Sequence, residues 1–195
     1  MKQALVILSG GQDSITCLFW AISNGYNCSA LTFDYDQLHN IEIESAKKAA
    51  QIAGIKNHEI STIGPLFSGN SPLTNKSMEL EQYSNLADVS PGIQKTFVPG
   101  RNLLFLSLAA NKAYSMNIDT MITGICQEDF GGYPDCRSDF IKSLEETIKL
   151  GMEKEIKILT PLMDMKKSEI VMMANNLPKE WWEAITFSHT SYDGK

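Results

Sequence analysis

The sequence predicts an α/β fold: an open, mainly parallel sheet with helices on both faces. Two observations lead there. Short apolar runs alternate with amphipathic segments along most of the chain, the pattern of successive strand–helix units. The first apolar run, Ala4–Leu8, opens into Ser9-Gly10-Gly11 and then into a helical pattern, so a glycine turn stands where a strand hands over to a helix.

The elements follow in order. Ala4–Leu8 is a short buried strand. Ser14–Ser23 carries Ile15, Leu18, Phe19 and Ile22 at helical spacing and stops at Gly25. Ser29–Tyr35 is the second strand. Asn40–Ala53 is a helix with Ile43, Ala46, Ala50 and Ala53 on one face, and His58–Ile63 is the third strand. The stretch from Gly64 to Pro99 is rich in Pro, Gly, Ser and Asn and lacks periodicity; a loop of that length is either a lid or a surface excursion. Asn102–Met116 is apolar nearly all round, which predicts burial on most sides, in the core or at a subunit contact. Thr120–Cys126 is a strand, Ser138–Leu150 a helix ended by Gly151, Ile156–Leu162 a strand and Lys166–Asn175 a helix. Met163, Met165, Met172 and Met173 are expected as core fillers. Trp181-Trp182 should pack or meet a partner subunit.

Composition narrows the class. Of 195 residues, 43% are hydrophobic and 21% charged, with 17 Lys and Arg against 23 Asp and Glu, a net charge of −6. That excludes a disordered or collagen-like chain and speaks against nucleic acid as the main ligand, since phosphate backbones favour basic partners. Four cysteines, Cys17, Cys28, Cys126 and Cys136, form no CxxC pair and no disulfide framework. The five apolar residues near the start are too few for a signal segment or a membrane span. A cytoplasmic protein is the expectation.

The informative segment is Leu8-Ser9-Gly10-Gly11-Gln12-Asp13-Ser14. It lies at a strand's carboxyl end, where ligands bind in open α/β sheets. Glycines permit a sharp turn and close approach to a ligand. The helix start offers N–H groups and partial positive charge, and Ser9 and Ser14 add hydroxyls. The sum is a cradle for phosphate oxygens. It is neither a Walker A loop nor G-x-G-x-x-G.

The pattern Ser-Gly-Gly-x-Asp-Ser resembles the pyrophosphate loop of the N-type ATP pyrophosphatases. Four further segments extend the resemblance over the chain: Thr32–His39, Phe97–Asn102, Thr123–Arg137 and Thr160-Pro161-Leu162. Together they look like the 7-cyano-7-deazaguanine synthase family of queuosine biosynthesis. The resemblance implies a Rossmann-like sheet of the adenine nucleotide alpha hydrolase type, forming one ATP-binding synthetase domain over residues 1–195. It implies two ATP-dependent steps on 7-carboxy-7-deazaguanine: adenylation and amide formation with ammonia, then adenylation of the amide and loss of AMP to give the nitrile. ATP and Mg²⁺ are the implied cofactors, and a homodimer without nucleic-acid or membrane partners the implied assembly.

Roles carry over by position. Ser9, Gly10, Gly11, Asp13 and Ser14 would hold the β and γ phosphates. Leu8, Gln12, Ile15, Thr16, Cys17 and Leu18 around them, with Phe33 and Gly124, complete the nucleotide site. Asp13, Ser14, Arg101 and Lys167 are the expected catalytic residues, Lys166 being the neighbouring alternative to Lys167. Arg101 would pair with phosphate or substrate carboxylate, beside a helix-capping Asn102. For the deazaguanine, Asp135 or Glu128 would accept ring N–H groups, Tyr133 or Phe130 would stack, and Arg137 would face the carboxylate, with Asp129 in the same loop. Cys136 is a packing or pocket-lining thiol. His39 and His189 have no ligand-spaced partners.

Two departures matter. Asp36 and Leu38 stand where the family usually shows Gly and Arg. Ser191 stands where the first of four zinc-binding cysteines would be, and the sequence stops at Lys195. The expectation is a chain whose C-terminal segment is shortened and which holds no structural zinc. Other adenylating amidotransferases of the superfamily, and a non-catalytic nucleotide-binding relative, are the competing readings.

Overall fold

The computed structural model describes residues 2–35, 41–64, 97–127 and 133–188. Five strands and six helices are laid out among them. These are β1 (Lys2–Ile7), α1 (Gln12–Ser23), β2 (Tyr26–Asp34), α2 (Ile41–Ile52), β3 (His58–Thr62), α3 (Arg101–Ser115), β4 (Thr120–Ile122), α4 (Ser138–Met152), β5 (Lys157–Leu159), α5 (Lys167–Ala174) and α6 (Glu180–Ile185). The strands pair in parallel in the order β3-β2-β1-β4-β5. The chain builds one half of the sheet outward from β1 to β3, then crosses back to lay β4 on the other side of β1. That reversal is the point at which such sheets open a crevice for ligand.

Both faces of the sheet are covered, as parallel strands require. Along β1 the side chains alternate. Ala4, Val6 and Leu8 join the core formed with α1, α2, α5 and α6, whereas Leu5 joins the core formed with α3 and α4. Two apolar clusters thus sandwich a single sheet. The Ala-rich faces of α2 (Ala46, Ala49, Ala50) and α3 (Ala109, Ala110, Ala113) are fully or almost fully buried.

Several boundaries differ from the sequence expectation, each for a local reason. β2 begins at Tyr26, because Gly25 with φ 77° reverses the chain directly after α1. β4 ends at Ile122 and β5 at Leu159, shorter than their apolar runs. The residues beyond them turn: Met163 N–H bonds the Thr160 carbonyl, and Gln127 N–H bonds the Met163 carbonyl. α4 runs through Gly151 and stops only where Glu153 takes a left-handed backbone, φ 49°. α3 is buried along one stripe, not all round: Leu103, Leu108 and Tyr114 are exposed. Met163 is buried and Met165 and Met173 pack on the core, but Met172 points outward. Trp181 is buried while Trp182 is half exposed. Residues 65–96, most of the proposed lid or excursion, lie outside the described residues.

Two polar links tie distant parts of the chain to α1 and β1. The Trp181 indole N–H donates to Thr16 Oγ1 at 3.1 Å, and that hydroxyl donates to the Gln12 carbonyl at 2.8 Å. The Thr32 hydroxyl donates to the Leu8 carbonyl at 2.6 Å and lies 2.8 Å from His58 Nε2. One hydroxyl carries one proton, so His58 is the donor in the second contact.

Gly10, with φ 91°, has the least room of the described glycines. A Cβ built there would overlap the Glu42 carbonyl oxygen and lie 3.0 Å from Ala46 N. Gly10→Ala is therefore expected to lower unfolding free energy by about 3 kcal/mol or more. Gly25→Ala has the same sign of φ but nothing within 4 Å, and should cost about 1 kcal/mol. Urea denaturation of both variants checks the contrast; equal losses would contradict it. Burial, with Lys47 nearby, lowers the His58 pKa. The unfolded chain then takes up a proton more readily than the folded one. The stability held by neutral His58 is complete above about pH 6.5 and is lost as pH falls through the lower folded value. Denaturation at pH 7.5 and 5.5 should show a steeper loss for the parent chain than for His58→Gln.

Candidate active site

The site is assembled along the carboxyl edge of the sheet. β1 ends at Ile7, and Leu8–Gly11 form the turn into α1. Gly11 is the N-cap residue and provides no side-chain cap, which suits a helix start meant for an external anion. Ser14 organises the turn from inside. Its hydroxyl donates to the Gly11 carbonyl at 2.9 Å and accepts from Gly10 N–H at 3.2 Å and from Ser9 Oγ at 3.1 Å. Gly11 N–H points back to Ser9 Oγ at 3.4 Å. Ser9 is exposed; Ser14 is 5% exposed. The turn is therefore shaped by its own hydroxyls.

Neighbouring backbone closes on this turn from two sides. α2 packs over Gly10, where the Ser45 hydroxyl donates to the Gly10 carbonyl at 2.7 Å. Gly124, just past β4, abuts the start of α1: a Cβ there would sit 2.8 Å from both Asp13 C and Ser14 N. Gly124 thus lies against the residues that open α1. Ile15, Thr16, Cys17 and Leu18 are fully buried, so their side chains serve the core. The Cys17 thiol donates to the Thr123 carbonyl at 3.5 Å. Burial first, then Asp13 and Cys126, push its pKa well up, so it stays protonated and is no nucleophile. Phe33 is likewise buried, stacked on Phe105 at 4.6 Å.

Arg101 opens α3 behind Gly100, which takes a left-handed backbone. Its guanidinium hydrogen-bonds the Tyr35 hydroxyl, bringing the cation to the end of β2. Burial raises the Tyr35 pKa and Arg101 partly offsets it. Asn102 is not the cap of α3. Its N–H donates to Asp135 Oδ2 at 3.2 Å and its amide donates to the Asp135 carbonyl at 3.1 Å. Asp135, expected to meet substrate, is buried and caps α3 with one oxygen. Tyr133 is buried and stacks on Phe97 at 5.4 Å, and Cys136 is buried beside Asn102. Arg137 stands exposed at the start of α4. Glu128, Asp129 and Phe130 lie outside the described residues, as do Asp36, Leu38 and His39.

Lys167 is the first residue of α5 and is exposed; Lys166 precedes it, its N–H held by Glu169 Oε2 at 2.7 Å. The turn leading to them is joined to the β4 loop through Gln127 N–H and through the Cys126 thiol, which donates to the Met165 carbonyl at 3.5 Å. Thr32, Ser45 and Tyr35 were not singled out from sequence as site residues. Among the described residues there is no group of three or more His, Cys, Asp or Glu able to hold a metal, and no helix long and apolar enough to cross a membrane. Residues 189–195, with His189, Ser191 and Asp193, are outside that description.

The comparisons agree with one another. The family described as "Queuosine biosynthesis protein QueC" matches residues 3–195. Curated relatives named 7-cyano-7-deazaguanine synthase include one from Gloeobacter violaceus, 42% identical over all of this chain and 84% of its own length. Another, from Chromobacterium violaceum, is 41% identical over all of this chain and 82% of its own. Among solved structures, a 4-thiouridine synthetase–RNA complex with bound ATP aligns over all of this chain and 46% of its own, at TM-score 0.60 and 15% identity. A predicted subunit of tRNA methyltransferase from Methanocaldococcus jannaschii aligns over 95% of this chain and 85% of its own, at TM-score 0.57 and 19% identity. Those two likenesses concern the fold. The synthase relatives and the family match over residues 3–195 converge: this chain belongs to the QueC family of queuosine biosynthesis proteins.

Proposed function

We propose that this chain converts 7-carboxy-7-deazaguanine and ammonia to 7-cyano-7-deazaguanine, using ATP and releasing AMP and pyrophosphate. The observation that carries the reading is the Ser9–Ser14 turn, built at the switch point in a chain 41–42% identical to curated synthases of that name. ATP enters with its β and γ phosphates on the N–H groups and hydroxyls of that turn and on the positive end of α1. A substrate carboxylate oxygen attacks the α-phosphorus and pyrophosphate leaves. Ammonia then adds to the acyl carbon, AMP departs with the C–O bond and a proton is released, giving the amide. The amide oxygen attacks a second ATP in the same way. Breaking its C–O bond, with loss of the nitrogen's protons to solvent, leaves the nitrile and AMP.

The protein's part is positioning and charge stabilisation. Lys167 and Arg101 supply positive charge, the first from the start of α5 and the second from the start of α3. Arg137, exposed at the start of α4, faces the substrate carboxylate, with Glu128 and Asp129 in the preceding loop for the ring N–H groups. Magnesium, when bound, would neutralise polyphosphate charge during attack; Asp13 is the carboxylate in the turn that fits that role. The chain acts as one ATP-binding domain, as a homodimer in the cytoplasm; exposed Leu103, Leu108, Val171, Met172 and Trp182 are compatible with a subunit contact.

Asp13→Ala and Ser14→Ala should each lower AMP formation about 100-fold or more while circular dichroism shows the fold retained. Near-normal turnover in both would overturn the phosphate assignment. Arg137→Ala should weaken 7-carboxy-7-deazaguanine binding and leave ATP binding unchanged, as read by titration calorimetry of each ligand. Loss of ATP affinity alone would reverse that role.

A further inference from the structure

Six polar or charged side chains are buried among the described residues: Ser14, Thr16, Thr32, Ser45, Thr123 and Asp135. Four of the six give their hydroxyl proton to a carbonyl of residues 8–12. Ser14 bonds Gly11 O, Thr16 bonds Gln12 O, Thr32 bonds Leu8 O and Ser45 bonds Gly10 O. The first two pairs lie within α1 and its cap. Thr32 and Ser45 come from β2 and α2, and they meet carbonyls that precede Gly11, whose carbonyl accepts the Ile15 N–H.

A peptide group is planar, so a carbonyl and the N–H of the following residue point in opposite directions. Holding Leu8 O fixes where Ser9 N–H points. Holding Gly10 O fixes Gly11 N–H. The Gly10–Gly11 peptide is the one in this turn most free to rotate, because neither flanking residue has a Cβ. If it turned over, a carbonyl dipole would face the phosphates where an N–H should, replacing attraction by repulsion. We propose that Thr32 and Ser45 are positioning residues of the phosphate turn: their hydroxyls hold the Leu8 and Gly10 carbonyls on the protein side, so that Ser9 N–H and Gly11 N–H, the latter now 3.4 Å from the exposed Ser9 Oγ, stay on the opposite side, where an anion can take them. The proposal rests on the assignment of this turn to ATP phosphates. Buried and bonded to backbone, neither residue needs to touch the nucleotide.

The test is titration of the full chain with inorganic pyrophosphate and with ATP. Ser45→Ala and Thr32→Val should each bind both ligands about tenfold more weakly, the equivalent of one neutral hydrogen bond. KM for ATP should rise with KM for ammonium unchanged, and Thr32→Ser should restore affinity. Trp181→Phe is the contrast. It removes the donor to Thr16, but the Gln12 carbonyl lies inside α1. It should lower the thermal midpoint and leave pyrophosphate affinity intact. Folded Ser45→Ala and Thr32→Val proteins that bind pyrophosphate as tightly as the parent would overturn the proposal. So would a Thr32→Ser variant no better than Thr32→Val. Should Thr32→Val fail to fold, Ser45→Ala decides. A parent chain that binds neither pyrophosphate nor ATP defeats the phosphate assignment itself, and the proposal with it.

Discussion

Close backbone approach at two glycines is the constraint on which the site depends. α2 lies so near Gly10 that a Cβ has no room, and the start of α1 lies so near Gly124 that a Cβ there would be 2.8 Å from Asp13 C and Ser14 N. Neither approach could be made by elements carrying ordinary side chains at those positions. Because both are backbone-to-backbone, they fix the turn more tightly than flexible side chains would. α2, α1 and the β4 loop are locked around one short turn, and the two halves of the sheet meet there. An anion site made of N–H groups needs that rigidity, since its attraction depends on dipoles already aligned before the ligand arrives.

The two faces of the sheet divide the labour. α1, α2, α5 and α6 pack on one side, with α2 against Gly10; α3 and α4 pack on the other. The second side carries Arg101, Asp135 and Arg137 to the same sheet edge through helix starts. Asp135 links them. By capping α3 through Asn102 while sitting in the turn just before α4, it sets the relative position of two cations drawn from two helices.

Much of this was legible in the sequence. The alternation of runs gave every strand and helix up to α5, because parallel strands buried on both faces leave strong apolar signals. The sharp turn between the first strand and the first helix was visible as two adjacent glycines. What escaped had physical reasons. β4 and β5 end before their apolar runs do, since after the Thr123 N–H to Leu159 carbonyl bond the two chains turn into loops that bond each other through Gln127 N–H and the Met163 carbonyl. The apolar surplus of α3 suggested burial on most sides, whereas within the chain one stripe, Leu106, Ala109, Ala110 and Ala113, is buried. The structural role of Asp135 escaped because sequence cannot show that an N–H thirty-three positions earlier takes one of its oxygens. Thr32 and Ser45 were hidden because a hydroxyl on a buried face carries no periodic signal.

Trp181 is bonded to Thr16 across 165 positions of sequence. α6 is also the element that lies on α1 and α2, the two helices around the phosphate turn. During synthesis from the N-terminus, β1, α1, β2, α2 and β3 are all made well before it. Until residue 181 emerges, part of the apolar side of α1 has no cover, and β1 keeps an unpaired edge until β4 has been made. Such surfaces invite association with other chains while they last. The nascent protein therefore becomes a closed body only once α6 has been made. A late truncation or a stalled ribosome would release a product with most of its sheet made and its first helix still bare.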